Sequence, residues 1–296
     1  MTVLQRTCPI HIGIAGWSYP DWQGVVYTRS KLDPLAYVSA FVACIEINTT
    51  FYHPPVARTT QSWLDRTVDR KDFFFTAKLH RSFTHEGRLD SALVQQVHRG
   101  FAPLLEANRL KHLLAQFRYD FVDTAVARQR LRGIVDHFGE RFNLVVEMRD
   151  ASWATEEALA FLAGLGVSVC NLDYPIGSHS FDVPQCRIGR RGYLRLHGRN
   201  HKAWFSRAGR DETYNYYYKR EELTQIKDRV IRLADTLDEM VVIGNNHYRG
   251  AELANAIELK SIITGKKQPV PTGLLKTYPD LERIALPEPN EDRLLF

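Results

Sequence analysis

The chain has 296 residues, and 39 Lys+Arg against 34 Asp+Glu give a formal net charge of +5. Its 44% hydrophobic and 25% charged residues are ordinary for a globular protein and exclude a disordered, collagenous or coiled-coil chain. No apolar run approaches the roughly 20 residues of a membrane span, so no membrane association is expected, and Met1–Cys8 shows no apolar core of a secretory signal.

In chain order, short β-rich runs alternate with helical ones. Strands are predicted at Ile10–Ala15, Ala43–Asn48, Asp72–Lys78, His112–Phe117, Asn143–Arg149, Val167–Asp173, Gly192–His197 and Met240–Asn245. Each is rich in Ile, Val, Leu or Phe, as a buried parallel strand is. Asp33-Pro34 opens a helix with proline in its first turn. Asp90–Asn108 carries Leu93, Val97, Phe101 and Leu104 at helical period. Thr155 caps a third helix, with Glu156 and Glu157 in its first turn. Glu221–Leu237 and Gly250–Ile263 complete the series. Eight strands with interleaved helices predict a single (β/α)8 TIM barrel over about 10–264, with some helices irregular or missing. The alternative is an open doubly wound sheet. The whole chain, 1–296, is expected to form one domain; 265–296, with five prolines after Gln268, is expected to be a tail that wraps the barrel or frays from it.

No G-x-G-x-x-G follows the first strand and no P-loop appears, so no nucleotide cofactor is expected. Cys8, Cys44, Cys170 and Cys186 are scattered with no C-x-x-C pair, which predicts a reduced, cytoplasmic protein.

Strand side chains alternate between two faces. In most strands one face is apolar and the other turns polar toward the C-terminal end, where barrel active sites sit. Glu46, Asn48, Lys78, Gln116, Glu147, Arg149, Asp173, Arg195, His197 and Asn245 are therefore expected to converge at that rim. Three acids and three bases among them form either an ion-pair plug or a pocket for a small anionic or polyhydroxylated ligand.

These residues carry a family resemblance. Gly16-Trp17-Ser18-Tyr19, Glu46-Ile47-Asn48 with Phe51-Tyr52, and Lys78 with Thr84-His85 resemble the YecE-like domain-of-unknown-function family. So do Glu147-Met148-Arg149 with Trp153, Asp173, Arg195-Leu196-His197-Gly198, and Asn245-Asn246 followed by Gly250 and Asn255-Ala256. The resemblance implies a TIM barrel, distantly similar to sugar-isomerase and endonuclease IV type barrels, and no established activity. Two departures stand out: Ile243-Gly244 before the paired asparagines, and Gln116-Phe117-Arg118-Tyr119 at the fourth strand.

Three chemistries follow. Glu46, Glu147, Asp173 and His197 are acceptable ligands for a divalent metal, although Lys78, Arg149 and Arg195 would repel it. In a metal-free acid–base enzyme, Lys78, Arg149 and Arg195 hold a phosphate or carboxylate. Glu46 or Glu147 is then the general base, His197 the partner acid titrating near neutrality, and Asn48, Asn245 and Asn246 orient hydroxyls. The third is nucleic-acid binding through 187–218. There Arg187, Arg190, Arg191, Arg195, Arg199, Lys202, Arg207 and Arg210 interleave with Trp204, Phe205, Tyr214, Tyr216, Tyr217 and Tyr218. Trp17, Tyr52, His85, Trp153 and Arg199 complete the candidate ligand-binding set.

Overall fold

The computed structural model describes residues 8–28, 32–206 and 209–289. Arg207 and the Arg210 side chain lie outside the described residues, as do Met1–Thr7 and 290–296. The barrel strands are β1 (Ile10–Ala15), β2 (Cys44–Ile47), β3 (Phe74–Lys78), β4 (Leu110–Gln116), β5 (Leu144–Glu147), β6 (Ser168–Val169), β7 (Asn171–Asp173), β8 (Arg191–Leu196) and β9 (Glu239–Gly244). All pair in parallel, in the order β6-β5-β4-β3-β2-β1-β9-β8-β7.

The two edge strands of that order are halves of one run, separated only by Cys170. β6 pairs with β5, β7 pairs with β8, and the sheet closes on itself there. Nine labelled strands are thus the eight runs of a TIM barrel, and the open-sheet alternative is excluded.

Helices follow the strands: Pro34–Val38, Ala57–Arg66, Ser91–Glu106, Ala125–Phe138, Glu156–Gly164, Arg220–Ala234 and Ala251–Thr264. Their starts obey local chemistry. Asp33, Asp90, Thr124 and Thr155 each accept a backbone N–H of the first turn with their side chains. After β7 the expected helix is missing; the irregular stretch 174–190 takes its place and is free to shape the rim.

Two apolar layers result. Ile14, Ile45, Phe75, Leu113, Val146, Leu194 and Val242 face outward onto the helices. Ala15, Cys44, Phe74, Leu114, Val145, Cys170, Tyr193 and Val241 fill the barrel interior. The interior is therefore a packed plug below and a charged layer above. The C-terminal tail wraps the barrel over its described part. Gln268–Pro269 pairs with Ala285–Leu286, Leu274 and Leu281 are buried, and Glu288 accepts a hydrogen bond from Tyr37 at 3.0 Å. No helix of the described residues is long and apolar enough to cross a membrane.

Candidate active site at the C-terminal rim

The charged layer is organised by Arg195, a fully buried guanidinium on the inner face of β8. Its Nη2 donates to Glu46 Oε1 and its Nη1 to Glu147 Oε2, both at 2.7 Å. Nη1 also reaches Gln116 Oε1 at 3.2 Å. Tyr193, two residues earlier and so on the same face, donates to Glu46 Oε2 at 2.9 Å, and its oxygen meets Thr76 Oγ1 at 2.8 Å. Arg149 donates from Nε to Glu147 Oε1 at 2.7 Å. Every oxygen of both buried carboxylates thus receives a charged or phenolic donor, which is what burial of a carboxylate demands.

Burial alone would raise the Glu147 pKa, but the charges of Arg149 and Arg195 outweigh it and hold the carboxyl well below the usual range. Glu147 is consequently a weak base, contrary to the expectation from sequence. His197 is corrected likewise. Burial, then Arg149 and Arg195, push its pKa well below 6.5, so it does not titrate near neutrality. Its two nitrogens are both engaged. Arg149 Nη2 lies 3.0 Å from Nε2, and Asn245 Nδ2 lies 2.9 Å from Nδ1. A guanidinium only donates, so Nε2 accepts and the proton rests on Nδ1. A half-turn of the Asn245 amide then presents its oxygen to that proton.

Above this layer opens a cleft of about 870 Å³. Its floor includes Gln116, Arg149 and His85; its walls are Phe117, Arg118 and Tyr119 after β4, Tyr174 and 177–180 after β7, and His201, Trp204, Phe205 and Tyr214 after β8. The Arg149 guanidinium lies 5.1 Å from the Tyr174 ring and 5.4 Å from the Trp204 ring. Its Nη1 makes no hydrogen bond among the described residues. Lys78 ends β3 on the inner face. Its backbone carbonyl accepts Thr50 Oγ1 at 2.7 Å, and its ammonium rests 4.5 Å from the Phe51 ring. Burial and then Arg195 lower its pKa to about 8. The neighbouring His85 ring packs edge-on against Phe51 at 4.8 Å, and burial followed by the Lys78 charge lowers its pKa to about 4.

Glu46, Lys78, Gln116, Glu147, Arg149, Arg195, His197 and Asn245 therefore come together as expected, with His85 beside them. Asp173 does not. Cys170, Leu172 and Tyr174 occupy the inner face of that run, and Asn171 and Asp173 point outward. Asn171 exchanges hydrogen bonds with the Cys186 backbone, and Asp173 holds Arg199 with both oxygens, at 2.9 and 2.7 Å, and accepts Tyr218 OH at 2.8 Å. Arg199 is also bound to Glu222. Asn246 donates to the Tyr216 carbonyl and to Asn255, and Asn255 in turn clamps the Tyr218 backbone. These four residues anchor the long segment after β8 rather than line the cleft. The segment turns at Gly198, whose positive φ of 86° suits glycine, and a Cβ there would lie 2.6 Å from Tyr216.

Trp153 is buried beneath the rim, stacked on Phe121 and donating to its carbonyl. Trp17 packs edge-on against Trp63. Tyr52 is exposed, and Asn48 is partly buried where a 3-10 turn begins. The site residue that strand polarity missed is Tyr174; its inward register after Cys170 and Leu172 was the available signal.

Glu46, Glu147, Asp173 and His197 do not form a ligand set, because Asp173 faces away and the remaining donors already hold guanidinium groups. Among the described residues, no group of three or more His, Cys, Asp or Glu is arranged to hold a metal ion. In the basic segment, Arg190 pairs with Asp238, Arg191 with Glu239, Arg199 with Asp173, and Arg187 donates to a backbone carbonyl.

A closed parallel β/α barrel with a guanidinium-bridged carboxylate pair beneath an aromatic-walled rim cleft defines a TIM-barrel protein with its polar centre in the usual functional position. The chain belongs to the DUF72 family: the model described as "Protein of unknown function DUF72" matches residues 11–279, in agreement with the YecE-like resemblance. A DUF72 family protein from Thermotoga maritima is 31% identical, with a TM-score of 0.76 over 86% of this chain and 99% of that one. Another from Enterococcus faecalis is 21% identical, with a TM-score of 0.74 over 86% and 95% of the two chains. No curated protein matches the sequence.

Proposed function

We propose that the chain is an enzyme that binds a small phosphate-bearing, sugar- or nucleotide-like ligand in the rim cleft and works on it by acid–base chemistry. The carrying observation is the charge at the floor. Arg149 lines that floor, with Lys78 and the buried Arg195 close behind it against only two carboxylates, and Arg149 Nη1 makes no hydrogen bond among the described residues. An anion restores the balance through charge-assisted hydrogen bonds. The aromatic walls, Tyr174 and Trp204 among them, suit the flat face of a base or sugar.

Lys78 carries the proton transfers in this reading, since its pKa of about 8 lies nearest neutrality. Glu46, Glu147, His197 and Asn245 orient the cations. The nucleic-acid alternative is weaker because the arginines of 187–199 are engaged in pairs and in the core, which leaves few of them to track phosphates.

The test is calorimetric titration with ribose 5-phosphate, glucose 6-phosphate and AMP, each against its dephosphorylated counterpart. At least one phosphorylated compound should bind tenfold or more tightly than its counterpart, and Arg149→Gln should remove the difference. Equal affinity within every pair, or no binding by any, would overturn the proposal.

A further inference from the structure

Among the described residues of the charged layer, Lys78 is the cation whose charged group meets no carboxylate oxygen in a hydrogen bond or ion pair. Glu46 gives its oxygens to Arg195 and Tyr193; Glu147 gives its oxygens to Arg149 and Arg195. No described residue hydrogen-bonds or ion-pairs the Lys78 ammonium, whose close contact is the face of Phe51. A lysine retained only to balance charge would sit on one of those four oxygens.

We infer that the Lys78 ε-amine is a nucleophile that condenses with the carbonyl carbon of an aldehyde or ketone held against His85, the cleft residue that packs on the same Phe51 ring as the amine. The inference rests on the anionic-ligand reading and deepens it: the ligand is a phosphate-bearing carbonyl compound, and Lys78 bonds to it rather than only exchanging protons with it. The charged and titratable groups around the amine are Glu46 from β2, Glu147 at the end of β5 and Arg149 after it, Arg195 from β8, and His85 after β3. Burial, then Arg195 and Arg149, favour the neutral amine and outweigh the opposing pull of Glu46 and Glu147. With a pKa of about 8, roughly a tenth of the molecules carry that amine unprotonated at pH 7.

The step balances without another reactant. The nitrogen lone pair forms the C–N bond as the carbonyl π bond breaks, and the oxygen takes a proton to give a carbinolamine. The C–O bond then breaks, and the oxygen leaves as water with one proton from the nitrogen and one from solvent. A protonated C=N link to Lys78 remains. His85 is the positioning partner: Thr84 Oγ1 occupies its Nδ1 at 3.0 Å, and its Nε2 has no partner among the described residues and is available to the departing oxygen. Arg149 holds the phosphate.

The experiment is reductive trapping on the full chain. Protein is incubated at pH 7 with dihydroxyacetone phosphate, or with dihydroxyacetone, in the presence of cyanoborohydride, and adducts are mapped by peptide mass spectrometry. The expected result is one dominant adduct on Lys78, formed at least tenfold faster with the phosphate, and lost in a folded Lys78→Arg protein. Adducts spread evenly over surface lysines would overturn the inference, and the wild-type map decides this even if the variant does not fold. A Lys78 adduct formed equally fast with both probes supports the nucleophile and removes the anion reading. Calorimetric phosphate-ligand binding with no Lys78 adduct keeps the anion reading and removes the nucleophile.

Discussion

Arg195 joins Glu46 across the barrel interior, at 2.7 Å, although their strands are three places apart in the sheet. The same guanidinium reaches Glu147 on the opposite side. One side chain therefore ties three strands that share no direct backbone pairing with one another.

Removing it leaves two carboxylates buried with part of their donors gone. Breaking a buried pair in this way costs about 3–5 kcal/mol. Arg195→Ala should lower unfolding free energy in urea by about that amount, more than Arg149→Ala, whose guanidinium is partly exposed. A loss below about 1 kcal/mol would show that the layer is not a structural tie.

The pH dependence has a definite sign. The folded-state pKa of Glu147 is depressed from its ordinary 4.5, so its charged form is the stabilising one. That contribution is fully present above pH 4.5 and fades as pH falls toward the folded value. The stability difference between wild type and Glu147→Gln should be largest near neutrality and shrink steadily below pH 4.5. A difference that stayed constant across that range, followed by urea midpoints, would falsify this account of the carboxylate.

Much of this centre was legible because alternation survives in regular strands. Glu46, Glu147, Arg149, Arg195 and His197 sit where a two-residue period puts them. It failed at Asp173 for a physical reason. Polarity in a barrel strand suggests an inward side chain, yet Asn171 and Asp173 are satisfied on the outside by Cys186, Arg199 and Tyr218, 15 to 45 residues further along the chain. Partners at that separation leave no local pattern. Trp153 shows the same limit: a tryptophan beside a rim motif is equally suited to stack on a ligand or, as here, on Phe121.

Asp173 accordingly has a different predicted phenotype from its neighbours. Asp173→Asn weakens both the paired Arg199 contact and the Tyr218 contact, each charge-assisted and worth about 1.5–3 kcal/mol. Hydrogen exchange in the peptides covering 198–218 should quicken, while peptides of β2 and β5 keep wild-type protection. Any cleft ligand should then bind more weakly through the loosened Trp204 and Tyr214 wall. Unchanged exchange in 198–218 would mean that the Asn246–Asn255 clamp anchors the segment alone.

Added divalent metal should not stabilise the protein. To enter the charged layer, a cation would have to displace Arg195 from Glu46 or Glu147, or Arg149 from His197 Nε2, while Lys78 repels it. A ligand that binds only the folded state raises its stability by RT ln(1 + [L]/Kd). Millimolar MnCl2 or MgCl2 should therefore leave the melting temperature where it stands after dialysis against a chelator. A rise of several degrees that Glu46→Gln and Glu147→Gln both abolish would mean that the guanidinium groups yield to metal, and would return the two carboxylates to the role of ligands.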